Sequence, residues 1–492
     1  AGPEIIYVFW SKHGPCQVTG CGHRTPIMSS PIMAVKDISI KSWSRDCKHC
    51  GQNYDIEDHE ARMAPGIPLV IAETEKPFAV AKLRSGKDGL EPESAICPHC
   101  GKTESFNLLG KGGKKKIELS LLVHPDWLKG ESNKDSNGNT YGGTTDDEIE
   151  RTISWNQARA KKCRLIEIRG SLPKTIRCPS TGLEIKTGSE GGTVPKKSHF
   201  SCGACGTVQD ILTTVKASGK NGPLATFAIQ GYCPTCASNG EAYDGRFFSP
   251  VQDSTSLDSA IREWSLRKTG DLAKFFPKSE MPYGLEADFW SVRHHGYTHW
   301  RKMFNDRQLL VLSVLLKSAI DSAKAFSSTG PFLLFLAAFQ QYIRNQCMFT
   351  IWNAQADQLE PQFAKNNFRP KPIVIENCVF PTLGRGNWQS CAFSVGEVLE
   401  WRKNPSEIAS AEYLVSKNPA LKGSFSGKSK RVFTGDPVLP NTDLTCSSST
   451  ELAGIQDQTI DMVVTDPPFG DLIQYSELSD FFYVWLKPAL EN

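Results

Sequence analysis

The chain has 492 residues, of which 39% are hydrophobic and 22% charged, with a formal net charge of +3. This length suits roughly two to four domains, and the composition excludes a low-complexity or disordered chain. Near-neutral charge neither selects nor excludes a nucleic-acid partner, because a basic cleft can sit on a balanced surface. The apolar stretches are too short to span a membrane, which makes a cytoplasmic protein the expectation.

Residues 1–125 alternate short β-type runs, such as 69–72 and 117–123, with cysteine knuckles. Four CxxC pairs occur along the chain, Cys47/Cys50, Cys97/Cys100, Cys202/Cys205 and Cys233/Cys236, and Cys16/Cys21 forms a wider pair. Two thiolates at this spacing bind one tetrahedral metal, and a following glycine permits the tight turn that aims backbone amides at the sulfurs. All-Cys sites are closed, so zinc here is expected to be structural. Paired thiolates suit a reducing compartment. Cys202/Cys205 and Cys233/Cys236 are separated by a linker of 27 residues, which predicts a four-Cys ribbon. Cys97/Cys100 finds its partner in either Cys16/Cys21 or Cys47/Cys50. Cys178 opens a knuckle-like Cys178-Pro179-Ser180-Thr181-Gly182 in which the second cysteine is replaced. Cys163, Cys347, Cys378, Cys391 and Cys446 are isolated and read as plain buried thiols.

Residues 131–147 read as a polar loop and 148–162 as a short helix. β-type runs return over 165–250, and a helix is expected over 257–268. Residues 306–326 and 332–352 are apolar at helical spacing with Gly330-Pro331 between them, predicting a helical hairpin. The His- and aromatic-rich segment 293–300 before it reads as a capping turn. Arg385, Asn387 and Trp388 lie in a Gly-rich loop and are candidates for DNA contact. Two basic clusters, Lys111 with Lys114–Lys116 and Lys428 with Lys430-Arg431, are candidates for phosphate contact.

From about 425 an α/β pattern begins. Arg431-Val432-Phe433-Thr434-Gly435-Asp436 reads as a strand ending in an acid. Ile460-Asp461-Met462-Val463-Val464 reads as a buried strand, and Thr465-Asp466-Pro467-Pro468-Phe469-Gly470 follows at its tip. A helix is expected over 477–486, stopped by Pro488. Carboxylates at the C-terminal edge of a sheet stand where open α/β folds bind ligands. This motif suits methyl transfer to an exocyclic amine, a poor nucleophile because its lone pair is delocalised into the ring. The Asp466 carboxylate and the Pro467 carbonyl accept hydrogen bonds from the amine and favour a tetrahedral nitrogen. Pro467 and Pro468 hold the loop rigid, and Phe469 offers a face for an extruded base.

The stretch 461–490, with Tyr475-Ser476-Glu477-Leu478-Ser479-Asp480-Phe481-Phe482-Tyr483-Val484-Trp485-Leu486, resembles the Zn-ribbon-containing adenine-specific DNA methylases. The resemblance extends to Trp300, Arg307-Gln308-Leu309-Leu310, Gly386-Asn387-Trp388-Gln389 and the Cys-rich first half. It implies an α/β fold, part of a Rossmann-like methyltransferase sheet at the C-terminal end, with a large β-rich zinc-ribbon insertion and a helical hairpin. The expected regions are 1–130, 131–250, 251–424 and 425–492. The resemblance further implies S-adenosylmethionine as cofactor with Asp436 at its adenosine, Asp466, Pro467, Pro468 and Phe469 at the target adenine, and DNA as partner. Other subunits of a restriction or anti-phage system are also implied. The family pattern places Cys16/Cys21 with Cys97/Cys100. One departure is the family's glycine-rich loop, Asp-Pro-Phe-x-Gly-x-Gly, which is absent. In the family it precedes the zinc region, so the chain reads as an internal fragment, inactive alone. A cytosine amine or RNA as substrate, and a zinc-ribbon adaptor with an inert methylase part, are the rival readings.

Overall fold

Ile5-Ile6-Tyr7-Val8-Phe9-Trp10 is β-branched and aromatic, and it forms the first half of the strand Glu4–Pro15. That strand is flanked by Leu224–Tyr232 and Ile373–Asn377, both antiparallel to it. Its far end, His13–Pro15, pairs with His23–Pro26. Flanked on both edges and covered on both faces, it separates two cores. Val8 and Trp10 enter one, and Tyr7 and Phe9 enter the other. The computed structural model describes residues 2–491 except 87–88, 108, 142–144, 218–223, 240–241, 283–291, 294, 326–328, 365–367, 382, 404, 411–428, 434–449, 451, 453 and 466–474.

The first core is helical. Asp306–Ala323 starts at an Asn305/Gln308 capping box, and Gly330–Ile343 packs beside it as the expected hairpin. The second helix is shorter than its apolar pattern predicts. Its continuation turns inward, with the Met348 amide on the Met303 carbonyl, and Ile351–Asn353 becomes a strand. The helix Tyr475–Leu490 joins this core through Phe481 and Trp485, both 0% exposed. The Phe481 ring stacks on Phe304 at 5.9 Å, and Trp485 meets the same ring edge-on at 5.1 Å. Pro488 was expected to stop this helix but lies inside its last turn. There it withholds one i→i−4 hydrogen bond, to the Val484 carbonyl, without ending the helix.

The second core lies against a six-stranded sheet of order Leu69–Ile71, Leu165–Arg169, Gly113–Val123, Ile32–Asp46, Asn53–Glu57, Phe78–Val80. Only its two outermost pairings are parallel, and the rest is antiparallel. Fully buried Glu57 and Arg169 pair across it, with Arg169 Nη1 2.9 Å from Glu57 Oε2. Helices at Asp146–Lys162 and Thr255–Arg267 fall where the periodicity places them. The whole is a mixed α and β chain, and none of its described helices is long and apolar enough to cross a membrane.

The chain divides into two units, Ala1–Cys391 with Gln474–Asn492, and Ala392–Ile473. Within the second, Ser406–Ser410 and Ser429–Phe433 pair antiparallel, so the first half of the strand read at 431–436 is present, and 434–436 lie outside the described residues. The run 460–464 corrects the expectation of a buried strand. It pairs with no strand among the described residues, and Met462, Val463 and Val464 are 78%, 77% and 86% exposed. A buried strand needs ladder partners on its edges, and none is described here. The Rossmann-like sheet expected at this end does not form among the described residues.

Candidate metal centres

Three knuckles share one backbone. In each, the first cysteine's amide donates to the carbonyl five residues on, closing the hairpin: Cys47 to Gln52 at 2.9 Å, Cys97 to Lys102 at 3.0 Å, Cys202 to Thr207 at 3.0 Å. The glycine after the second cysteine donates back to the first cysteine's carbonyl, with Gly51, Gly101 and Gly206 each at 2.9 Å. These glycines hold φ of 69°, 70° and 71°, the left-handed region that favours glycine.

The knuckles meet in two tetrads, Cys47, Cys50, Cys97, Cys100 and Cys16, Cys21, Cys202, Cys205. In the first, Cys47 and Cys100 Sγ are 3.7 Å apart and Cys50 and Cys97 3.8 Å. In the second, Cys16 and Cys205 are 3.7 Å apart and Cys21 and Cys202 3.8 Å. A tetrahedral ion with metal–sulfur bonds of about 2.3 Å sets its ligands about 3.8 Å apart, so both tetrads fit such an ion. Of the two partners open to Cys97/Cys100, the structure brings up Cys47/Cys50.

The ribbon expected between Cys202/Cys205 and Cys233/Cys236 is corrected. Antiparallel pairing sets Tyr232 against Glu4 and Leu224 against Lys12. Cys233 therefore follows the end of its strand beside Glu4, whereas Cys16 follows the opposite end of Glu4–Pro15. At about 3.3 Å per residue the two ends stand roughly 35–40 Å apart. The hairpin His199–Ser201/Val208–Asp210 docks at the Cys16 end. There the Gly203 amide donates to Thr25 Oγ1 at 3.0 Å and the Gln17 amide to Gln209 Oε1 at 2.7 Å. Phe200 fills the space a side chain at position 14 would need, which requires Gly14. Cys233 caps the short helix Pro234–Ser238, its Sγ accepting from the Cys236 amide at 3.2 Å. Among the described residues this pair is in neither tetrad.

In each tetrad one thiol is lowered and two are raised. The Thr207 hydroxyl and amide lower Cys205 to about 6. Burial raises Cys97, but the Cys100 and His99 amides outweigh it and bring the thiol to about 7. Burial pushes Cys47 up to about 12, and burial with the neighbouring sulfurs does the same to Cys21. A divalent cation removes this conflict by letting all four ionise together. Beneath the Cys47 tetrad, buried Glu104 accepts from Tyr54 Oη at 3.0 Å and pairs with Arg45 Nε at 3.5 Å. Beside the Cys16 tetrad, Gln209 Nε2 donates to Cys16 Sγ at 2.9 Å.

Cys178 has the same knuckle backbone, with its amide on Leu183 O at 2.7 Å and Gly182 returning to Cys178 O at 2.8 Å. Its second cysteine is Thr181, and its partner is a histidine that sequence reading missed. His124 Nε2 lies 3.0 Å from Cys178 Sγ, with Ser180 Oγ 3.2 Å from the sulfur. The Asp126 amide donates to His124 Nδ1 at 3.2 Å, so a neutral ring carries its proton on Nε2 and donates it to sulfur. Burial raises this thiol, but hydrogen bonds from Ser180, Thr181 and His124 prevail and hold it at about 6. Nothing in the sequence marks His124, which stands 54 residues from Cys178.

Asp466, Pro467, Pro468 and Phe469, and the cofactor candidate Asp436, lie outside the described residues, as does Cys446. Cys163, Cys347 and Cys391 are buried as expected, and Cys378 is half-buried. The candidates for DNA contact have structural partners. Arg385 Nη1 pairs with Glu360 at 2.8 Å, Asn387 Oδ1 accepts from the Ser390 amide at 2.8 Å, and Trp388 packs on Phe335. Trp300 is core. Lys115 turns to Asp55, Glu57 and Glu75, while Lys114 and Lys116 are exposed. No protein-family model, curated protein or solved structure matches the chain.

Proposed function

We propose that the chain is part of an S-adenosylmethionine-dependent enzyme that methylates the exocyclic amine of adenine in DNA, with a zinc ion in each cysteine tetrad. The observation that carries the reading is the sequence Asp466-Pro467-Pro468-Phe469, placed just before a helix whose Phe481 and Trp485 are rooted in the helical core. The Asp466 carboxylate and the Pro467 carbonyl accept the two hydrogens of the amine and direct its lone pair outward. Pro468 stiffens the loop, Phe469 stacks on the extruded base, and Asp436 holds the cofactor's adenosine. The cofactor supplies an electrophilic methyl group. The amine needs no strong base beforehand, because it releases a proton after alkylation. The zinc ions hold short hairpins that bury little apolar surface of their own.

A second reading is favoured by the exposure of Met462, Val463 and Val464. On that reading the chain is a zinc-held nucleic-acid or protein adaptor with an inert methylase part. Transfer of labelled methyl groups to unmethylated DNA by the full-length protein decides between them. Asp466→Ala is expected to lower the rate by about a hundredfold or more. Unchanged activity in that variant excludes the mechanism, and DNA binding without any transfer selects the adaptor.

A further inference from the structure

A cleft of about 330 Å³ opens between the start of Glu4–Pro15, the helix Asp306–Ala323 and the segment after Ile373–Asn377. This is the small end of the range for ligand pockets. Its polar wall is an ion pair. Glu376, 3% exposed, accepts from Arg307 Nε at 2.7 Å, from Trp10 Nε1 at 3.2 Å and from Asn305 Nδ2 at 3.4 Å. These donors fix the carboxylate in place. Arg307 Nη1 is directed to the Ser256 carbonyl at 3.3 Å, while its Nη2 makes no hydrogen bond among the described residues. The wall thus sets a free guanidinium donor beside a carboxylate acceptor. Val311 and Pro381 supply apolar surface, and Phe380, 79% exposed, stands at the same cleft.

Three features select the ligand. Glu4 and Glu376 both line the cleft with Arg307, so acidic residues outnumber the basic one there and a phosphate is disfavoured. An adjacent donor and acceptor complement a heterocycle edge with a ring acceptor next to an N–H donor. An exposed phenyl ring favours a flat partner. We propose that this cleft binds a nucleobase, with Arg307 donating to a ring acceptor, Glu376 accepting from the neighbouring amine, and Phe380 stacking on the ring. The choice of adenine as probe rests on the methyltransferase reading, whereas the donor–acceptor wall does not.

The test is calorimetric titration of the full chain with adenosine and with purine riboside, which lacks the amine. Adenosine is expected to bind, with purine riboside at least about tenfold weaker because it lacks the amine that donates to the Glu376 carboxylate, a charged acceptor. Phe380→Ala, at an exposed position that does not endanger the fold, is expected to weaken adenosine at least about fivefold. Arg307→Lys, which keeps the charge but loses the planar fork, is expected to weaken it as well. No adenosine binding at millimolar concentration, equal binding of purine riboside, or an unchanged Phe380→Ala variant overturns the proposal. Displacement by S-adenosylhomocysteine assigns the ring to a cofactor, and displacement by a single-stranded deoxyadenosine oligomer assigns it to a nucleic-acid strand. Displacement by neither overturns the assignment. Nucleoside binding without methyl transfer fails the methyltransferase reading alone. Methyl transfer with no effect of Phe380→Ala on binding fails this one alone.

Discussion

The knuckle at Cys178 and those at Cys47, Cys97 and Cys202 have the same backbone and different chemistry. All four turn through a glycine at φ between 69° and 71° and close with the same two hydrogen bonds. Three of them present a second thiolate and meet in tetrads, the one at Cys202 against the looser Cys16/Cys21 turn. The fourth presents Thr181 and meets His124. The turn is therefore written in the cysteine–glycine spacing and needs no metal. A second thiolate gives the turn a place in a tetrad that could hold a cation; without one, hydrogen bonds tie the turn to its neighbour. The supports differ accordingly. The Cys178 hairpin packs its Ile176 and Ile185 with Leu122, Ile166 and Ile168. The Cys47 tetrad adjoins a small core with Trp43, Tyr54, Ile56 and Phe106. The Cys202 hairpin buries mainly Phe200.

The largest expected effect comes from stripping metal. Structural zinc in small domains contributes on the order of 10 kcal/mol of apparent binding energy, most of it folding energy. A strong chelator should lower the melting temperature sharply and open the chain to protease within 199–210 first, where least apolar surface remains. The Cys178 hairpin should stay protected. Metal analysis should find two zinc ions per chain, one for each tetrad. Unaltered melting under chelation would remove the distinction between the two kinds of knuckle.

How far the sequence reaches follows from the same contrast. Each knuckle was legible because its spacing is local. Which knuckles meet was not, because the pairing is set by strand register far away. Cys16 and Cys205 are 189 residues apart, and they meet because the Glu4–Pro15 strand delivers Cys16 to the end where Phe200 docks. A 27-residue linker made Cys233/Cys236 look the nearer partner of Cys202/Cys205, yet the antiparallel ladder carries it to the opposite end. The helices at 146–162, 255–267 and 306–323 were legible from their apolar pattern. The run 460–464 has strand composition, but composition supplies no ladder partner.

The next largest effect tests whether hydrogen bonds replace the metal at Cys178. Cys178→Ala removes a thiolate bonded by His124 and Ser180 and should destabilise the fold by roughly 1.5–3 kcal/mol at pH 8.5 and above. The sign with pH is fixed. The thiol sits at about 6 in the fold and near 8.5 in the unfolded chain, so the unfolded state holds the extra proton between those values. The thiolate's contribution is therefore complete above about pH 8.5 and is lost as pH falls through 6. Denaturant melts of wild type and variant at pH 8.5 and 5.5 should converge at the lower pH. A constant gap would mean that the thiol is neutral throughout.

A smaller effect tests the sameness of the backbone. Nothing lies within 4 Å of a side chain built at Gly51, Gly182 or Gly206, so only the positive φ opposes alanine there. Each Gly→Ala change should lose about 1–2 kcal/mol, alike at Gly182 and at the metal knuckles in the metal-loaded protein. A much larger loss at Gly51 or Gly206 than at Gly182 would show that the ion, and not the turn, dictates the backbone.

The subtlest change converts one kind of knuckle into the other. Thr181 occupies the place that Cys50, Cys100 and Cys205 hold in the metal knuckles. Thr181→Cys would set a second thiolate beside Cys178 and opposite His124, two sulfurs and one imidazole on a turn already shaped for them. The expected outcome is a third zinc ion per chain, with little change in melting temperature because the hairpin is already held by its apolar residues. The competing outcome is an unchanged metal count, since His124 Nδ1 is engaged by the Asp126 amide and Nε2 must give up its proton to ligate. Binding should therefore weaken as pH falls toward 6, where protons compete with the metal for the Cys178 sulfur. Metal analysis at pH 8 and pH 6 separates these outcomes. A third ion at the higher pH alone would show that only one side chain keeps this knuckle from being a metal centre.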